Sequence, residues 1–248
     1  MSMSNLLTKN VLLGMLLSFI TGLGATAARS EDRVYPQQGV VAVGKISELS
    51  PTAVKINVRG KDQTYETSEV RKISFDGEPS GLDRAPESCL LGQYEQALDE
   101  IKKIPTEELD NPLVKLDVAY YRYFCEGKLF LAGAGDKDAA IRGLVGIFRS
   151  NQRTHHLYDL SEILGELAMA VGQPEQAAYY FNVLLSASHA DTIAVGVYHL
   201  GEVDLAQDKT EQARQRFQQL VSAPSESPEM ARLKSLAEVG LAVCDNLT

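Results

Sequence analysis

The sequence predicts a mainly α chain: about four helical hairpins stacked in a row and closed by a capping helix, preceded by a small β-barrel-like module. Three observations carry this. Residues 164–187 (LGELAMAVGQPEQAAYYFNVLLSA) are written again 36 residues later, at 200–223, as LGEVDLAQDKTEQARQRFQQLVSA. A period in the middle thirties, with a small residue in each of two helices, marks a helical repeat array. Upstream, Val54, Ile56 and Val58 alternate with Lys55, Asn57 and Arg59, the period of a half-buried strand.

The chain has 248 residues, 44% of them hydrophobic and 23% charged, a composition ordinary for a globular protein with a sizeable core. Its first residues are set apart. Lys9 precedes an apolar run at 11–20, and small residues follow, ending in Ala25-Thr26-Ala27. Basic, apolar, then A-x-A is the layout of a secretory signal peptide, with cleavage expected after Ala27 and no stable membrane insertion afterwards. The expected location is periplasmic or secreted. Net charge is −9, and residues 1–28 hold one lysine and no acid, so the remainder stands at −10. Such a surface repels phosphate backbones and anionic lipid, which argues against nucleic acid as a partner.

After a flexible lead-in at 28–38, the β module is expected over 39–78. Val40, Val41 and Val43 lead into the first strand, Ser50-Pro51-Thr52 turns it, and Val54 to Val58 form the second. Gly60-Lys61-Asp62 turns again, and residues 63–67 and 70–75 supply two more. A flat sheet this small leaves an apolar face bare, which predicts bending or closure. The pattern resembles the SH3-like and Sm-like small barrels. Lys45, Lys55, Arg59, Lys61, Arg71 and Lys72 make it the basic end of an acidic chain, as outward positions of alternating strands. The breaker cluster at 77–82 marks the boundary, and the helical repeats are expected over 82–248.

Helical periodicity begins at Gly92-Gln93-Tyr94, with Ala97, Ile101 and Ile104. Gly135, Ala140, Leu144 and Ile147 fall on the same frame, as do Gly172, Ala177, Phe181 and Leu184, then Asp208, Ala213, Phe217 and Leu220. This frame is similar to the second half of a tetratricopeptide repeat, over about 160 residues. The resemblance implies a TPR-like α-α superhelix in which Gly165 and Gly201 let paired helices approach while Phe181 and Phe217 fill the space between hairpins. Arg84 and Lys128 depart from the family pattern, standing where it favours Leu and Gly. Long spacing between the first two repeats predicts an extra loop at 105–112, and residues 229–243 read as the cap.

The family's groove-facing positions fall here on Asp159, Glu162, Glu166 and Met169, on Val195, Tyr198, Glu202 and Leu205, and less securely on Arg122, Cys125 and Leu129. Members that clamp a terminal carboxylate use Lys and Asn there. Glu162 and Glu166 imply instead a protein or peptide partner that is basic and partly apolar.

No catalytic, metal or cofactor site is legible. His155 and His156 are adjacent with no partnering pair at helical spacing, and read as loop or helix-start residues. Gly133-Ala134-Gly135 lacks the lysine and hydroxyl of a phosphate loop and reads as a turn capped by Asp136 or Asp138. Cys89, Cys125 and Cys244 sit in apolar helical contexts and read as small buried residues, one disulfide being the alternative. The expected function is a non-catalytic interaction scaffold in an extracytoplasmic envelope complex. The alternatives are an accessory cell-wall polysaccharide-binding protein, with the β module as binder, and a self-assembling array.

Overall fold

The computed structural model describes residues 31–224 and 227–247; the expected signal peptide lies outside them. Five strands come first: β1 (Asp32–Pro36), β2 (Ala42–Leu49), β3 (Ala53–Val58), β4 (Lys61–Glu66) and β5 (Val70–Ser74). Nine α-helices follow among the described residues: α1 (Ser80–Leu90), α2 (Tyr94–Ile101), α3 (Pro112–Leu131), α4 (Lys137–Ser150), α5 (Leu157–Ala170), α6 (Pro174–Leu184), α7 (Ala190–Ala206), α8 (Thr210–Ser222) and α9 (Pro228–Leu247).

The strands form one antiparallel sheet in the order β4-β3-β2-β1-β5. β4 and β5 are its two edges, so the sheet is open, and the expected barrel-like closure does not occur. The reason lies in what covers the apolar face. Val34, Ala42, Val54, Ile56, Ile73 and Phe75 are buried in one core with Leu82, Ala85, Ile101, Val114 and Val118 from α1, α2 and α3. Helices bury the face that closure would otherwise have to hide. Lys72, itself nearly buried, adds an ion pair to the half-exposed Asp83 of α1 at 2.6 Å, so this lysine is a joint to the helices rather than an outward base.

Two boundaries move. The part of the expected lead-in that is described contains β1, which lies between β2 and β5. The cluster read as a breaker at 77–82 contributes Ser80, Gly81 and Leu82 to the first turn of α1. Between β3 and β4, Val58 pairs with Lys61, and Arg59 and Gly60 both have positive φ. That is the two-residue hairpin turn whose twist matches the strands it joins.

The helices form consecutive antiparallel hairpins, α1–α2, α3–α4, α5–α6 and α7–α8, with α9 packed on both α7 and α8. Each odd-numbered helix also packs on the next odd one, from α1 through α9. A short 3-10 turn at Thr106–Glu108 occupies the extra loop before α3. Asp136 caps α4, its side chain accepting from the backbone N–H groups of Asp138 and Ala139; Asp138 lies inside the helix.

Glycine fits ring in each of the last two hairpins. A Cβ on Gly165 would stand 2.3 Å from Phe181 Cε1, and one on Gly201 would stand 2.5 Å from Phe217 Cε1. Phe181 and Phe217 are fully buried, each contributing on the order of 1.5–3 kcal/mol. The next helix completes each fit. His199 of α7 stacks on Phe181 at 4.6 Å between centroids, and Gly240 of α9 admits the other side of Phe217. The second hairpin inverts the arrangement: the ring, Tyr123, is on its first helix and the glycine, Gly143, on its second. Cys89 of α1 and Cys125 of α3 meet with their Sγ atoms 3.5 Å apart. No helix of the described residues is long and apolar enough to cross a membrane.

Candidate functional site

Stacking odd helix on odd helix lines up one face of α3, α5 and α7. Lys128 departs from the family pattern one residue after Gly127, which takes the close-packing role itself: a Cβ there would meet Leu167 at 3.3 Å. The Lys128 side chain then reaches across to α5 and donates to Glu166 Oε2 at 2.5 Å, both groups about three-quarters buried. One step further along the stack, His199 of α7 stands between two carboxylates. Its Nδ1 is 2.7 Å from Glu202 Oε2 and its Nε2 is 3.9 Å from Glu162 Oε1. Tyr198 donates its hydroxyl to the other Glu202 oxygen at 2.9 Å. Burial alone would pull the His199 imidazole down. The charge of Glu162 and Glu202 and the hydrogen bond to Glu202 outweigh it and push it up to about 9, so the ring is a cation at neutral pH.

Glu162, Glu166, Tyr198 and Glu202 therefore lie on one connected, half-exposed row, and the structure adds Lys128 and His199 to it. Met169 is half-buried and packs on the Ala168, Ala177 and Phe181 cluster. Asp159 is exposed at the mouth of a cavity of about 290 Å³ lined also by Cys89, Tyr121, Phe124, Lys128 and Glu162. Surrounding protein raises its carboxyl, Glu162 adds to the rise and Lys128 opposes it; water at its open edge limits the shift. Arg122 is exposed, and Leu129 and Leu205 are half-buried. Two expected groove residues are corrected: Cys125 is fully buried against Ala97 and Leu98, and Val195 is buried in the α7–α9 core.

The row is also less acidic than the sequence implies. Lys128 and protonated His199 offset two of the three glutamates, leaving roughly one net negative charge. Lys128–Glu166 and Glu162–His199 join different hairpins, so no single-helix spacing announces them; His199 and Glu202 stand at i,i+3 within α7.

A second cluster lies deeper, where α3, α5 and the sheet meet. His155 and His156 occupy the loop entering α5, as expected, but both are nearly buried and both face Asp117 of α3. His156 Nε2 is 3.0 Å and His155 Nε2 3.7 Å from Asp117 Oδ1. Tyr120 stacks on His156 at 3.7 Å, and Phe75 of the sheet meets His155 edge-on. Burial keeps both imidazoles neutral, pushing them down to about 3, and raises Asp117 to about 6. Asp117 is 39 residues from His156 in sequence, which is why helical spacing did not reveal it.

Fold and site together define an array of helical hairpins with an open antiparallel sheet at its head. No protein-family profile, curated protein or solved structure matches the chain.

Proposed function

We propose that this protein is a non-catalytic interaction scaffold of tetratricopeptide type. It works outside the cytoplasm, in the periplasm or as a secreted protein, and holds a partner segment along α3, α5 and α7. One observation carries the reading: successive odd helices present a continuous row of half-exposed polar and aromatic side chains, Lys128, Glu166, Glu162, His199, Glu202 and Tyr198. A face built for stability alone would bury apolar groups there, since part-buried ion pairs contribute little net stability against apolar packing. The remaining charge favours a partner segment with a small positive excess and an apolar portion to meet Met169 and Leu205. The polysaccharide alternative draws less support, because Tyr65, its aromatic candidate, packs against the sheet core and bonds its hydroxyl to Gln63.

The test is affinity capture from an envelope extract by residues 28–248, beside a variant carrying Glu162→Gln, Glu166→Gln and Glu202→Gln. These changes remove charge while keeping shape, and thermal melting checks that the variant is folded. A defined protein partner retained by the parent and lost by the folded variant supports the row as the binding surface. Equal capture by both refutes it.

A further inference from the structure

We propose that Asp117, His155 and His156 form a binding site for a zinc-type divalent cation, set where α3, the loop before α5 and the sheet meet.

The geometry comes first. One donor atom from each residue lies within 4.8 Å of the other two, and both imidazole Nε2 atoms address the same carboxylate oxygen, at 3.0 and 3.7 Å. Zinc held at about 2.0–2.2 Å by nitrogen and oxygen ligands in a tetrahedron places those ligands about 3.3 Å from one another. The two observed distances bracket that spacing. The remaining separation, between the two imidazoles, is at most 4.8 Å, so closing on an ion requires side-chain adjustment of up to about 1.5 Å.

The chemistry agrees. Asp117 is 3% exposed, and among the described residues no lysine or arginine forms an ion pair with it. A buried carboxylate in that position is costly to desolvate, and hydrogen bonding to imidazole offsets only part of the cost. A divalent cation would offset the rest. Two imidazoles and one carboxylate suit zinc and its first-row neighbours, whereas calcium and magnesium take oxygen ligands. Three protein ligands leave a fourth position for water or another group. A cavity of about 260 Å³, lined by His155 together with Thr52, Thr67, Ser68, Tyr158 and His189, gives an ion a route in from solvent.

The other gathering of such groups, Glu162, Glu166 and His199, is half-exposed, and Lys128 and the protonated ring already meet its charge. It carries no such need.

The experiment uses the full chain, stripped with chelator and titrated with zinc chloride by calorimetry, with metal content measured after gel filtration. The expected result is one retained zinc per chain and a rise in melting temperature on its addition. Asp117→Asn removes an anionic ligand at nearly constant shape and should weaken zinc binding by at least ~100-fold, since changes beyond the ligands already cost 10–100-fold. X-ray absorption on the zinc-loaded parent needs no variant and should show a nitrogen and oxygen shell with two imidazoles. Three outcomes overturn the proposal: no zinc retained, equal affinity in folded Asp117→Asn, or zinc kept by that variant and lost by His199→Gln.

Discussion

His199 makes the stability of the array depend on pH in a direction that can be worked out. Its pKa rises from 6.5 to about 9 on folding, because Glu162 and Glu202 hold the charged ring more strongly than burial opposes it. Below pH 6.5 the ring is charged whether the chain is folded or not, and the stabilisation is fully present. Between 6.5 and 9 the unfolded chain gives up its proton while the folded chain keeps it, so stability falls. Above 9 the contribution is gone. Such a rise corresponds to at most about 3.4 kcal/mol. Glu162 and Glu202 are 34% and 41% exposed in their side chains, and solvent screening of such partners brings the expectation down to about 2 kcal/mol. The assay is urea denaturation of the parent and of His199→Gln at half-unit steps from pH 6 to pH 10. The glutamine also loses the stack on Phe181, but that loss is nearly independent of pH and cancels from the slope. The stability difference between the two proteins should shrink by about 2 kcal/mol across the window. A difference that stays flat, or grows with pH, would refute the assignment of a protonated His199 between the two glutamates.

Three further outcomes can be checked. Gly165→Ala forces a methyl group into the Phe181 ring and should destabilise by about 1–3 kcal/mol, whereas Gly146→Ala, in α4 with nothing within 4 Å of the new carbon, should stabilise by about 0.5–1 kcal/mol; paired thermal melts resolve both, and equal effects would dismiss the glycine–ring fit. Reversing Glu162, Glu166 and Glu202 together to lysine sets positive charge against Lys128 and His199, and should cost about 2–4 kcal/mol in chemical denaturation; an unchanged midpoint would mean the row pairs are not formed. Oxidised glutathione should join Cys89 to Cys125, each thiol giving up its hydrogen as glutathione disulfide is reduced to two thiols. Because the bond closes a loop over 36 residues, it should stabilise by up to about 4 kcal/mol, and peptide mapping that finds Cys244 in the cross-link, or no cross-link, would count against the α1–α3 contact.

Features that depend on neighbours in sequence were legible beforehand. The hairpin frame and the Asp136 cap follow from spacings within one repeat, and the loop before α3 from the long interval between the first two; Phe181 and Phe217, expected between hairpins, also meet the glycine of their own hairpin. What sequence spacing missed depends on pairs brought together from different units. Closure of the sheet was expected because its apolar face had no visible cover; Leu82, Ala85 and Val114 supply that cover from helices assigned to a separate unit. β1 was hidden because Asp32–Pro36 is short and shows a single fully buried residue, Val34. The groove positions found four residues of the polar row but not their counterions. Lys128 was visible only as a departure from the family pattern, and His199 had in sequence only its i,i+3 neighbour Glu202. Asp117 gave no signal, since its partners, His155 and His156, lie on another unit far along the chain.

The fit of Gly165 to Phe181, repeated at Gly201 and Phe217, has a bearing on how such a chain can lengthen. Each of these hairpins carries both halves of its own fit, and offers its outward side to whatever helix follows, His199 in one case and Gly240 in the other. A tandem duplication of the coding segment for either hairpin would deliver a unit already complete in itself. The second hairpin, with Tyr123 and Gly143 exchanged between its helices, docks on α5 without a copy of that fit. The self-contained form of the fit is therefore found in the C-terminal half, while α1, α2 and α3 share their core with the sheet.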